Sequence, residues 1–393
     1  MAEPASPSPT SGAPSFRNEW AALLACASPA CDLGQLTALL GSVDGVRLLA
    51  LAEEHGVDGH LAAYLRDSAE ALVPPEIRQT LTERMRAQNF FTLRLNAELF
   101  EVLARFSAEG IGALVIKGPV LAVRAYGDPA IRNYGDLDLL VRQRDIRRAT
   151  ELMSARGFLP AVPLSAIDAG KIPGQYLFSK PDSKLIVELH NDFTLRYFPR
   201  RLPLETVFAR QVSVRVDAHD IPALSVEDEL VLICIHGAKH FWERLMWIAD
   251  VAALVFRQTG IDWDLVRDSA RGVEAERMLH TGLRLASDLL KVQLPATVQA
   301  AVEADVRAAR LAEQCANWLP AAGNSPHGLI ERAAFRLRMR GGLTAAPAYL
   351  FRLSFSPTEE DWKNDKEGAP RKFLDVVGRP FRLARKYGRT GKK

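Results

Sequence analysis

The sequence predicts an α+β fold in which a small sheet core is flanked by helical N- and C-terminal regions. Three observations predict it. Apolar residues recur at helical spacing before residue 110 and again after residue 226. Between these regions, short apolar runs alternate with short helical stretches, as they do where helices cross a sheet. The chain has 393 residues at 48% hydrophobic content, which supports a core large enough for two or three such regions.

The elements follow in order. Residues 1–15 are rich in Pro, Ser and Ala and are expected to be disordered. Residues 16–84 form a helical N-terminal region, with Leu23, Leu24, Leu36, Leu39, Leu40, Val46, Leu49 and Leu51 marking its apolar faces. Pro74-Pro75 punctuates this region, and Pro75 suits the first position of a long helix running to about Glu109. The later face of that helix carries Phe91, Leu95, Leu99, Val102, Leu103 and Phe106 at 3.6-residue spacing. Residues 85–225 form the α/β core. It contains a strand at Ala113–Ile116, a helix from Val120 to Tyr126, and a strand at Leu137–Val141. A helix then ends at Gly157, and a hairpin of Tyr176–Ser179 and Lys184–Leu189 turns at Pro181-Asp182-Ser183. Residues 226–360 read as a helical C-terminal domain, and residues 361–393 as a basic tail.

Charge and cysteine usage narrow the setting. The net charge is +3, but Lys363–Lys393 holds eleven Lys or Arg against three Asp or Glu, so the rest of the chain is acidic overall. A basic tail serves solubility or binds an acidic partner, anionic lipid or nucleic acid. No apolar run reaches the length of a membrane span, and no secretory signal pattern opens the chain. Cys26, Cys31, Cys234 and Cys315 show no CxxC spacing, so a reducing, cytoplasmic setting is expected.

The chemistry concentrates in Asp136-Leu137-Asp138, directly before an apolar run. Alternation on a strand turns Asp136 and Asp138 to one face. An Asp-x-Asp is often only a turn, but Asp is depleted in strand interiors, and paired carboxylates suit a hard divalent cation. Upstream, Lys117-Gly118-Pro119 ends one strand and opens a helix, where a phosphate can sit on the helix N-terminus. Lys117 brings a point charge, Gly118 a close backbone approach, and Arg132 a fork of donors; the plain alternative for Arg132 is a surface salt bridge. Glu188 lies mid-strand between Ile186 and His190. If that strand lies beside the Asp136 strand, Glu188 becomes a third carboxylate of a two-metal site. His190 then contacts nucleotide or acceptor, or is simply a hydrogen-bonded, half-buried ring. His236 and His240 share a helix face at i, i+4, with Lys239 beside them; Gly237 stands where a zinc protease needs Glu. These three are expected to face nucleotide or acceptor from the helical region.

Together, Ile116-Lys117-Gly118, Tyr126-Gly127-Asp128-Pro129 through Arg132, Asp136–Val141, Val187-Glu188-Leu189-His190, and His236–His240 with Trp247 and Asp250 resemble an uncharacterised bacterial nucleotidyltransferase family. That family belongs to the DNA polymerase β-like superfamily. The resemblance spans about residues 85–260. It implies a small polymerase β-like nucleotidyltransferase sheet core, with Asp136, Asp138 and Glu188 as metal carboxylates. It also implies that Gly118 and neighbouring backbone hold the β- and γ-phosphates. Two departures stand out. Pro119 follows Gly118 where the superfamily carries Ser or Gly, and the gap to the first Asp is long. The implied activity is transfer of a nucleoside monophosphate, AMP from ATP, with two Mg²⁺ ions or Mn²⁺ in their place. The acceptor would be a hydroxyl or phosphate of a peptide, protein or small molecule. The alternatives are a non-catalytic nucleotide- or peptide-binding module with a degenerate phosphate turn, and a nucleic-acid-modifying enzyme, which is not favoured.

Overall fold

The structure, a computed structural model, describes residues 17–68, 73–164, 167, 174–192, 204–321 and 329–340. The expected disordered N-terminus and basic tail lie outside these residues.

Four short helices open the described chain: α1 (Arg17–Ala27), α2 (Leu33–Leu40), α3 (Gly45–His55) and α4 (Asp58–Ser68). Their starts are local. The Asp32 carboxylate accepts from the Gly34 and Gln35 N–H groups, and Asp44 does the same for Val46 and Arg47. The long helix α5 (Pro75–Ala108) begins with Pro at its first position, where no intrahelical N–H is required. The expected regional boundary at residues 84 and 85 falls inside this unbroken helix. Its first half buries Ile77, Leu81 and Met85 among the N-terminal helices. Its second half buries Leu95, Leu99, Val102 and Phe106 against the sheet.

The sheet has seven strands: β1 (Ala113–Val115), β2 (Leu137–Val141), β3 (Leu159–Pro160), β4 (Gln175–Lys180), β5 (Leu185–His190), β6 (Val212–Val216) and β7 (His219–Ala223). Their spatial order is β3-β4-β5-β2-β1-β7-β6. The β6–β7 hairpin is absent from the sequence-based reading, although Val212, Val214 and Val216 alternate with polar residues. It forms one edge, which leaves most of β6 outside the buried core.

Period-two alternation divides the sheet into two faces. Leu137, Leu139, Val141, Leu185, Val187 and Leu189 join α5 and α7 (Ile146–Ala155) in one core. Asp138, Leu140, Glu188 and His190 fall on the opposite face. Leu140 there joins a second core shared by α1–α4 and the helices that follow the sheet. Those helices include α9 (Val226–Lys239), α10 (Leu245–Arg257), α11 (Trp263–Gly272) and α12 (Glu276–Leu290). α8 (Leu204–Ala209) precedes β6, and α6 (Gly118–Tyr126) links β1 to β2. The helical reading beyond Val226 matches the described elements as far as Arg338, the end of the last described helix. No described helix is long and apolar enough to cross a membrane.

Two buried histidines make this fold acid-sensitive. His55 and His60 are almost wholly buried. Burial pushes each down to about 4, helped by the charge of Arg244 at His55 and of Arg132 at His60. Both folded values lie below the ordinary 6.5, so the unfolded chain binds more protons between pH 6.5 and 4. Stability is therefore full above pH 6.5 and falls as pH drops through this window. Each histidine is expected to remove on the order of 2 kcal/mol of stability between pH 7 and 5. Urea unfolding at the two pH values checks this, because a His55→Gln/His60→Gln variant should show a clearly flatter pH dependence. Equal pH dependence in both proteins would refute the assignment.

Candidate active site

The site forms where β2 and β5 run side by side. They pair in parallel with Asp138 opposite Glu188 and Leu140 opposite His190. This register supplies the adjacency that the sequence analysis left conditional. Hydrogen bonding between parallel strands brings Asp138, Glu188 and His190 together on the face toward the helices. Their ligand atoms all lie within 4.8 Å of one another.

The grouping departs from the expected three carboxylates. His190 Nε2 lies 2.8 Å from Asp138 Oδ1 and 3.6 Å from Glu188 Oε2. His190 therefore belongs to the cluster rather than to a surrounding contact shell. Asp136 precedes β2, which begins at Leu137, and it is not part of the tight group. It still lines the same cleft as Asp138. Burial pushes the Asp136 carboxyl up, and repulsion from Asp138 adds to this. Asp138 behaves oppositely. Its burial raises it, but the Lys117 ammonium and the His190 hydrogen bond outweigh that and hold it well below the usual carboxylate range.

Lys117 is the second difference. It was expected to meet phosphate, but its Nζ lies 3.0 Å from Asp138 Oδ2. Its backbone is unusual, with φ 71° and ψ −144° at the N-cap of α6. That region suits glycine, and a side chain there costs on the order of 1–3 kcal/mol. Gly118 follows at φ 51°, a left-handed turn that excludes most other residues. The first N–H groups of α6 lack intrahelical partners, and Pro119 removes one of them.

Arg132 is not a free fork. Its Nε lies 2.9 and 3.1 Å from the two Asp250 oxygens, and the pair is buried. The Tyr126 hydroxyl donates to the same Asp250 oxygen at 3.0 Å. This corrects the surface salt bridge, since the pair is interior, while Arg132 itself lines the cleft. Sequence inspection does not find this partnership, because Asp250 is 118 residues away on α10.

The remaining candidates divide. His236 lines the cleft; His240 and Lys239 do not. The His236 and His240 rings lie 4.7 Å apart and pack on Trp247 at 5.6 and 5.1 Å. Burial, with nearby lysine charge, pushes His236 well below its ordinary value and His240 to about 3. Both rings are therefore neutral at pH 7. Lys239 Nζ reaches Gln175 Oε1 at 3.5 Å, and the Gln175 amide donates to Glu188. Gln175, missed by the sequence analysis, thus links Lys239 to the carboxylate cluster. Its signal was legible once β4 and β5 were paired, since Gln175 sits opposite His190.

The cleft holds about 540 Å³. Lys117, Gly118, Asp136 and Asp138 line one side, and His236, Met246 and Trp247 another. Glu53, Gly56 and Asp58 from the N-terminal helices contribute a third wall, which sequence patterning did not assign. That wall sits tightly. A Cβ on Gly59 would lie 2.2 Å from the Ile131 carbonyl oxygen, so only glycine lets α4 approach the segment beside Arg132.

The donor set fits a hard divalent ion. Two carboxylates favour Mg²⁺ or Mn²⁺, and the imidazole of His190 shifts the preference toward Mn²⁺.

Over residues 41–291 the chain matches the model of a family described as uncharacterised nucleotidyltransferase. Among solved structures, it is similar to an antigenic nucleotidyltransferase-like protein from Paracoccidioides brasiliensis. That likeness has 13% identity and a TM-score of 0.29, over 53% of this chain and 94% of that one. No curated protein matches the chain.

Proposed function

This chain belongs to the uncharacterised nucleotidyltransferase family and is a nucleotidyltransferase; on that premise we propose that it transfers AMP from ATP to a hydroxyl or phosphate of a peptide, protein or small-molecule acceptor. The observation that carries this reading is the register of β2 with β5, which clusters Asp138, Glu188 and His190 beside the N-terminus of α6.

Asp138, Glu188 and His190 would hold Mg²⁺ or Mn²⁺, with Asp136 at the rim. One or two such ions, when bound there, would supply Lewis-acid chemistry, lowering the pKa of the attacking hydroxyl and offsetting charge on the triphosphate. The chain's own groups do the rest. Gly118 lets the triphosphate approach the α6 N-terminus, and Lys117 is close enough to share its charge with phosphate. Arg132, paired to Asp250, holds the floor of the cleft in place. Trp247 and the neutral His236 offer ring surface for a base. Gln175, backed by Lys239, fixes the Glu188 carboxylate so that it can orient the acceptor and hold its proton. Four free thiols support a reducing, cytoplasmic setting.

Incubation with each α-labelled NTP, metal and cell extract tests the reading. The expected result is label transfer from ATP. Glu188→Gln should lower transfer by about 10²–10⁴-fold, the usual worth of a positioned acid–base group. Its nucleotide affinity should stay close to that of the parent protein. Failure of all four nucleotides to label any acceptor, or equal turnover in Glu188→Gln, would refute the proposal.

A further inference from the structure

Asp138 is the most enclosed carboxylate of the cluster, at 2% exposure. Both of its oxygens are occupied by this chain's own groups: Oδ1 by His190 and Oδ2 by Lys117. A carboxylate buried this deeply requires a cation nearby. Lys117 supplies one, and Asp136 and Glu188 also attract its ammonium. The lysine reaches this position from a backbone conformation that disfavours side chains. Strain retained at one cleft residue points to a functional constraint there.

We infer that the Lys117 ammonium is a built-in occupant of the metal subsite, neutralising Asp138 until a divalent ion enters and then moving onto the triphosphate. The inference rests on the metal reading given above and adds how that site is regulated. An ammonium and a divalent ion repel strongly at contact distance inside a partly buried cleft. The flexible four-carbon stem of lysine lets the head group move while the backbone stays. Lys117 also directly precedes the α6 N-terminus, so a phosphate held there lies within reach of the displaced ammonium. Two consequences follow. Metal alone binds weakly, because it must displace a resident cation. Metal and nucleotide favour each other's binding, because the phosphate receives the cation that the metal displaces.

The test uses the full-length protein and Mn²⁺, followed by electron paramagnetic resonance. Without nucleotide, Lys117→Met and Lys117→Gln are each expected to bind Mn²⁺ at least about tenfold more tightly than the parent, within the usual range of coupling between sites. Both should bind α,β-methylene-ATP more weakly than the parent once Mn²⁺ is bound. Lys117→Arg, which keeps the charge, should resemble the parent in Mn²⁺ affinity. A purely structural lysine would not move the two affinities in opposite directions. The unaltered protein gives an independent readout that does not depend on variant folding. Mn²⁺ should speed acetylation of the Lys117 amine, and added α,β-methylene-ATP should protect it again.

Unchanged or weaker Mn²⁺ binding in both neutral variants, with Asp138-dependent binding in the parent, overturns this inference alone. Acetylation of Lys117 that ignores Mn²⁺ does the same. Parent binding of Mn²⁺ that is indifferent to Asp138→Asn overturns the metal reading itself, and the inference with it.

Discussion

Asp138→Asn is expected to reduce nucleotidyl transfer by at least about 10³-fold, the upper scale for losing one preorganised electrostatic group. The substitution keeps shape but removes the charge that faces Lys117 and His190. Asp138 lies at the centre of the cluster, opposite Glu188 in register and bonded to His190. No neighbouring carboxylate can take its place, because Glu188 is tied to Gln175 and Asp136 stands outside the tight group. The fold should persist. Lys117 is partly exposed and can swing its ammonium toward water once Asp138 is neutral. Turnover at saturating Mg²⁺, measured beside a thermal melt, checks both statements. Parent-like turnover in a folded Asp138→Asn protein would remove the basis for the proposed site.

The second large effect concerns stability. Asp250→Ala leaves the Arg132 guanidinium buried without its carboxylate and deprives the Tyr126 hydroxyl of its acceptor. Removing one member of a buried ion pair costs about 3–5 kcal/mol. At about 2–4 °C per kcal/mol, the melting midpoint should fall by on the order of 10 °C. An Arg132→Met/Asp250→Leu double variant should recover much of the loss, because neither charge is then stranded. Calorimetry on the three proteins decides the matter. A single variant melting within a degree of the parent would show that the pair does not hold this part of the cleft.

Much of the fold was legible because its signals are local. Pro75 at the start of α5, the Leu139–Val141 apolar run of β2 and the turn at Pro181-Asp182-Ser183 are each set by neighbouring residues. The β6–β7 hairpin was harder. Only Val216 of β6 is fully buried, so its alternation carries a weak burial signal. In the site, Asp138 and Glu188 were legible because carboxylates are rare within apolar strands. Gln175 was not, since it falls one residue before the strand as read from Tyr176, and a single polar residue there has no distinguishing pattern.

By itself, the sequence determined the helical flanks, the short strands, the glycine turn at Gly118 and the acidic residues available to a site. Periodicity, turn chemistry and composition act over a few residues, and those distances are readable along the chain. Only the tertiary structure decided who stands next to whom. It set Asp138 against Glu188 through parallel pairing, brought His190 into the cluster in place of Asp136, and turned Lys117 onto Asp138. It also matched Arg132 to Asp250 and supplied a cleft wall from helices that precede the sheet by more than fifty residues. Charge pairing and burial depend on distance through space, and sequence separation does not encode that distance.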